Sequence, residues 1–177
     1  MGNVGRPNSS EFAPYFGRYI GQVAGDDVVG ILAEQMATVR AVLGHLSEAQ
    51  AGYRYAEGKW SVREVLGHVI DAERVFGYRA LAFARGERAP LPSFDENDYA
   101  RESGHDAIPL PALVEEFVDL RASHVAMFRH LPAEAWARSG TASGNPVTVR
   151  AIAFIIAGHL AHHLALLHER YGIPNPP

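Results

Sequence analysis

The sequence predicts an all-α protein: an antiparallel four-helix bundle with an irregular N-terminal arm and a long loop between the second and third helices. Three observations carry this expectation. Four stretches, each about 20 residues long, place apolar side chains at the three- and four-residue spacing of an amphipathic helix. Their ends carry recognisable start and stop residues. No stretch alternates apolar and polar residues convincingly enough to predict a strand. Four helices with connections between them describe a bundle. The 177 residues are expected to form a single domain, with residues 1–25 as the arm packing on its body.

The arm is rich in glycine, proline and aromatic residues: Phe12, Pro14, Tyr15, Phe16 and Tyr19. Asp26 and Asp27 supply helix-start chemistry, and the first helix follows through Val28, Ile31, Leu32, Met36, Val39, Val42, Leu43 and Leu46 to end near Ser47. The second helix has the clearest start. Ser61-Val62-Arg63-Glu64 reads as a capping box, with Trp60 placed as a hydrophobic staple. Its apolar positions run from Val65 to Phe83, and Gly86 ends it. The polar segment from Glu87 to about Pro109 reads as a loop, long enough to suggest a functional role. The third helix is expected from near Pro111 to Leu131, where Pro132 stops it. A short turn at Ala133–Trp136 leads to a plain loop, Gly140 to Pro146. Thr148 then caps the fourth helix, which runs to Tyr171 and Gly172, and the tail Ile173-Pro174-Asn175-Pro176-Pro177 cannot continue it.

Composition narrows the function classes. A net charge of -4, with scattered arginines and no basic cluster, gives no footprint for nucleic acid. No apolar run reaches the roughly 18 residues of a membrane span, because His159 interrupts the longest candidate. The N-terminal residues lack the charged-then-apolar design of a secretory signal, so a cytoplasmic location is expected. Cysteine is absent. A bound metal would therefore need nitrogen and oxygen ligands, and any thiol chemistry would need a thiol from a cosubstrate.

His68 on the second helix and the pair His159 and His163 on the fourth occupy positions where a bundle wants aliphatic side chains. Residues four apart lie about 40° apart on a helix, so His159 and His163 share one face. That face continues through Ile152 toward Leu166 and Leu167, while Val65, His68, Ala72 and Val75 form the matching line on the second helix. Three neutral imidazoles with further coordination positions open describe a catalytic rather than a closed metal site. Such a site suits zinc, nickel or iron, and one sequence leaves the ion undetermined. Metal-bound imidazoles need partners to orient them. Asp71, one turn after His68, and Glu64, one turn before it, are the candidates for that role. His162 could serve as a ligand in place of either member of the pair, although its helical position favours the flank; His168 points away, and His45, His105, His124 and His130 show no pattern. Trp60, Tyr78 and Phe94 are candidate pocket walls. Paired Glu-x-x-His motifs for a di-iron site, a His-Glu-x-x-His zinc motif and a phosphate-binding glycine loop are all absent.

At these residues the chain resembles the DinB-like (DinB/YfiT) superfamily. The resemblance rests on the stretch from Tyr55 to Arg74, which contains Trp60-Ser61 and His68, and on Ile156 to Leu167, which contains Gly158-His159-Leu160-Ala161-His162-His163. Ala13–Tyr19 and Pro92–Tyr99 add to it, and Leu160 departs from it, standing where related sequences often carry a polar residue. The resemblance implies a four-helix bundle with one divalent metal ion at His68, His159 and His163, and a homodimer. It also implies an enzyme acting on a small-molecule substrate. The expected chemistry is S-transfer from a low-molecular-weight thiol to an electrophile. Hydrolysis by a metal-bound water, or a non-catalytic metal-stabilised bundle, are the alternatives.

Overall fold

The computed structural model describes residues 4–174. The first three residues of the arm and Asn175, Pro176 and Pro177 of the expected tail lie outside the described residues. Four long helices dominate: α2 (Val28–Leu43), α4 (Val62–Ala84), α6 (Leu110–Arg129) and α7 (Val149–Tyr171). Three short helices join them: α1 (Gly17–Ile20), α3 (Glu48–Ala51) and α5 (Glu96–Ser103).

The caps form as their residues dictate. The Ser61 hydroxyl accepts from the Glu64 amide at 3.2 Å, and the Glu64 carboxylate accepts from the Ser61 amide at 2.7 Å, so two unsatisfied donors at the start of α4 are met together. Thr148 caps α7 by accepting from the Ala151 amide at 3.1 Å. Asp27 caps α2 through the Gly30 amide. That first helix stops at Leu43 rather than near Ser47, because Ser47 and Gln50 form a capping box of their own and start α3.

Two clusters of buried apolar residues divide the core along its length. Val28 and Leu32 of α2, the α4 residues from Ala72 onward, Val125 and Phe128 of α6, and α7 up to Ala157 build one. The second halves of α2 and α7 and the first halves of α4 and α6 build the other. The chain directions follow: α2 and α7 run one way, α4 and α6 the other. α7 packs antiparallel on α4, α2 packs antiparallel on α6, and α2 also lies along α7. α4 and α6 are parallel, so the segment between them must travel back along the bundle. That return explains its length. The segment is not a bare loop: Asp95 caps α5 within it, and a 3₁₀ turn follows at His105–Ala107.

The plain loop expected around Gly140–Pro146 is corrected to a β-hairpin, β1 (Ser139–Ala142) with β2 (Asn145–Thr148), paired Ser139 with Thr148 through Ala142 with Asn145. Ser143 and Gly144 both have positive φ, 51° and 76°, which suits the two-residue turn that matches strand twist. Four-residue strands containing Gly and Pro carry almost no alternation signal, which hid them. Leu91 extends the hairpin by exchanging backbone hydrogen bonds with Thr141 and Ser143.

The arm is more ordered than expected, with 3₁₀ turns at Ser9–Glu11 and Pro14–Phe16 before α1. Arg6 donates to the carbonyls of Ile20, Val23 and Gly25, and Glu11 pairs with Arg150 at 2.6 Å while accepting from Thr148. α7 is long and apolar enough to cross a membrane by length and composition, but 72% of that apolar window is buried inside the bundle. It is the helix around which the core is built.

Candidate metal centre

The three rings meet at the seam between the two apolar clusters. His68 comes from the first half of α4, and His159 and His163 come from the middle of the antiparallel α7. Their exposures are 9%, 6% and 8%. Nε2 of His159 lies 3.1 Å from Nε2 of His68 and 3.2 Å from Nε2 of His163. One ligand nitrogen from each ring lies within 4.8 Å of the others, the one such cluster among the described residues.

Neutral rings this close cannot all satisfy one another. A neutral imidazole nitrogen carries either one proton or one lone pair. Nε2 of His159 therefore cannot bond both neighbours fully, and at least one close contact lacks either a proton or a lone pair to receive it. A cation accepting all three lone pairs removes the conflict. Nitrogens about 2.0–2.1 Å from a shared ion stand roughly 2.9–3.4 Å apart, from octahedral to tetrahedral geometry. The separations of 3.1 and 3.2 Å both fall in that interval. The residues present thus fit a metal.

Electrostatics keeps the ligands available. Burial pushes the His68 pKa down to about 4. Burial also holds His159 and His163 well below the usual histidine value, with the neighbouring rings adding to the effect. All three are neutral near pH 7, as metal ligation requires. Aromatic rings wall the cluster. Trp60 lies 4.9 Å from His68, Tyr19 5.2 Å from His159 and Phe76 6.0 Å from His159, between ring centroids.

The two carboxylates expected to orient ligands are occupied elsewhere. Glu64 is held by the Ser61 amide and by Arg54 at 2.5 Å, so the capping box and an ion pair take its oxygens. Asp71 lies 3.5 Å from Arg74 and 4.0 Å from His105 Nδ1. Among the described residues neither is hydrogen-bonded to His68, His159 or His163, and Nδ1 of His163 is buried without a partner. Of the expected walls, Trp60 lies against His68, Tyr78 is 59% exposed, and Phe94 packs near Tyr99 and Arg79.

His162 flanks the site as its helical position suggests, with Tyr19 against its ring and Gln22 at 3.4 Å. His168 is exposed and bonds the Ile173 carbonyl. Leu160 is core, buried in the second apolar cluster.

Several contributors escaped the sequence reading. Tyr19 was visible only as one arm aromatic. Gly158 lets the arm reach the site: a β-carbon there would stand 2.0 Å from the Tyr19 carbonyl oxygen. The Glu96 carboxylate, at the start of α5, acts electrostatically on His68. His105 and His124 are sunk against Gly67 and Gly77 of α4, where a β-carbon would meet their rings at 2.1 Å. A glycine on one helix opposite a histidine on another leaves no local pattern.

The helical bundle gathers three buried, neutral imidazoles from two antiparallel helices, a donor set that could hold a metal ion. The family model of the DinB superfamily matches residues 31–167, and the chain belongs to that superfamily. No curated protein matches the sequence. Among solved structures the fold is similar to YfiT from Bacillus subtilis, described as a "probable metal-dependent hydrolase with an unusual four-helix bundle topology". The TM-score is 0.74 at 20% identity, over 84% of this chain and 88% of that one.

Proposed function

We propose that the protein is a metal-dependent enzyme with a mononuclear centre at His68, His159 and His163, and that it transfers a low-molecular-weight thiol to a small electrophile. The observation that supports this best is the convergence of the three Nε2 atoms. A divalent zinc, nickel or iron ion held there would lower the pKa of a coordinated thiol or water and leave positions open for substrate.

The chain's own residues favour a thiol over water. Once deprotonated, a thiolate attacks without a further base. Hydrolysis draws on a carboxylate near the nucleophile, and both Glu64 and Asp71 are tied up in other contacts. Trp60, Tyr19 and Phe76 give the centre an aromatic, weakly hydrating wall, which suits a soft anion. The chain has no cysteine of its own, so the thiol would come from solution.

Hydrolysis is the second reading. It draws on the description attached to YfiT and on Glu96, the carboxylate whose charge reaches His68 and which would take the proton.

Elemental analysis tests the centre. Untagged protein is expected to hold close to one ion per chain and the His159→Ala, His163→Ala double variant almost none. Equal content in both would end the proposal. Turnover of activated electrophiles with and without added thiols then separates the two reactions. Activity that is independent of thiol and lost in Glu96→Gln would favour hydrolysis.

A further inference from the structure

Arg79 of α4 is 4% exposed, yet among the described residues no carboxylate pairs with it. The other deeply buried arginine of the bundle shows what balance looks like. Arg121 is 0% exposed and grips the Glu73 carboxylate with two bonds, 2.6 and 2.8 Å, while Gln35 takes a third at 2.6 Å. Arg79 has only neutral acceptors, the Pro92 carbonyl at 2.7 Å and the Ser143 hydroxyl at 3.0 Å, both reached by Nη2. A guanidinium carries five N–H donors, so the three on Nε and Nη1 remain. Neither of those atoms is among the sealed, unpartnered nitrogens of the structure, so both open onto free space. Burial pushes the Arg79 pKa down, with no anionic group to oppose it.

Arg79 and Ser143 also line a cavity of about 20 Å³ whose apolar walls include Phe16, Phe76, Val147, Ile152 and Ile155. It has room for one or two water-sized bodies. The faces of Phe76 and Phe94 lie 5.8 and 6.0 Å from the guanidinium carbon and hold the cation in place. The Ser143 hydroxyl accepts from Arg79, which leaves its own proton free to donate into the cavity. A buried charge without a counter-ion is costly, and an apolar wall favours a weakly hydrated ion over a strongly hydrated one.

We propose that the cavity between α4, the β-hairpin, the arm and α7 binds a small monovalent anion of halide size, held by Arg79 Nε and Nη1 and by the Ser143 hydroxyl. Chloride fits that description. The ion would pin the hairpin and the arm to α4. None of the three clustered histidines lines the cavity.

Crystals of the wild-type protein grown in sodium bromide are expected to show an anomalous peak within hydrogen-bonding distance of Arg79. In solution at constant ionic strength, the Tm of the wild type should rise saturably with chloride or bromide and stay flat with fluoride or sulfate. Arg79→Met should abolish the halide effect and Ser143→Ala should weaken it. The absence of a bromide peak at Arg79, or an identical halide response in wild type and Arg79→Met, would overturn the proposal. Should Arg79→Met fail to fold, the bromide experiment on the wild type decides alone.

Discussion

Each of the three imidazoles sits where the charged form is disfavoured, and this has a defined consequence for stability. In metal-free protein the folded pKa of His68 is about 4 against an ordinary 6.5. Between those values the unfolded chain binds more protons than the folded one, so stability rises with pH through that window and falls as pH drops. For His68 alone the loss is on the order of 3 kcal/mol by the time pH reaches its folded pKa. His159 and His163 shift the same way and deepen the fall. Urea midpoints of metal-free protein should therefore decline steadily from about pH 7 to about pH 5, and His68→Gln should decline less steeply; equal slopes would show that His68 is not held neutral by burial. These three rings were legible in the sequence because each interrupts an apolar stripe of known period. The companions were not. Glu64 lies one turn from His68 but is taken by the very capping box that made the start of its helix so clear. His105 and His124 owe their burial to glycines on another helix.

Between elements, glycine contacts and one polar network set how the helices fit. Gly158 lies against backbone: a β-carbon would stand 2.0 Å from the Tyr19 carbonyl oxygen and 2.4 Å from its carbon. Gly67 lies against the side chain of His105, which has some freedom to shift. Alanine gains up to about 1 kcal/mol of helix propensity over glycine at either position. Overpacking costs about 1–3 kcal/mol when neighbours must move. Gly158→Ala is thus expected to destabilise clearly and Gly67→Ala less, as read by chemical denaturation; the reverse order would mean that the arm yields more easily than the His105 ring.

The network joins α2, α4, α6 and α7. Arg121 binds Glu73 and Gln35, Gln35 donates to the Ala157 carbonyl at 2.8 Å, and His124 lies 3.3 Å from Glu73. Arg121→Met strands a buried carboxylate and should cost about 3–5 kcal/mol, whereas adding Glu73→Leu should restore much of the loss. A double-mutant cycle measures both. None of this pairing shows in the sequence, where Glu73 and Arg121 stand 48 residues apart on separate helices.

Across the whole molecule, the histidine level divides the core. One apolar cluster ends at Ala72 on α4 and Ala157 on α7, and the other resumes at Ile70 and Leu160. Periodicity and caps made the four helices readable. Their arrangement, with α4 and α6 parallel and the segment between them running back along the bundle, depends on contacts between distant residues and was not readable. In the absence of metal the rings leave polar nitrogens at this level of the core: His159 falls in the gap between the clusters, and His68 and His163 lie just within the span of the second. Replacing buried polar groups with apolar residues of similar volume is often neutral or stabilising. The His159→Leu, His163→Leu double variant should therefore melt at or above metal-free wild type and bind no metal. Wild type at a free metal concentration near 100 Kd should recover roughly 2.7 kcal/mol by linkage, and the variant nothing. Calorimetry of both proteins with and without metal reads all four states. A variant that melts well below metal-free wild type would mean that the imidazoles are needed as packing, and that the seam is structural before it is a binding site.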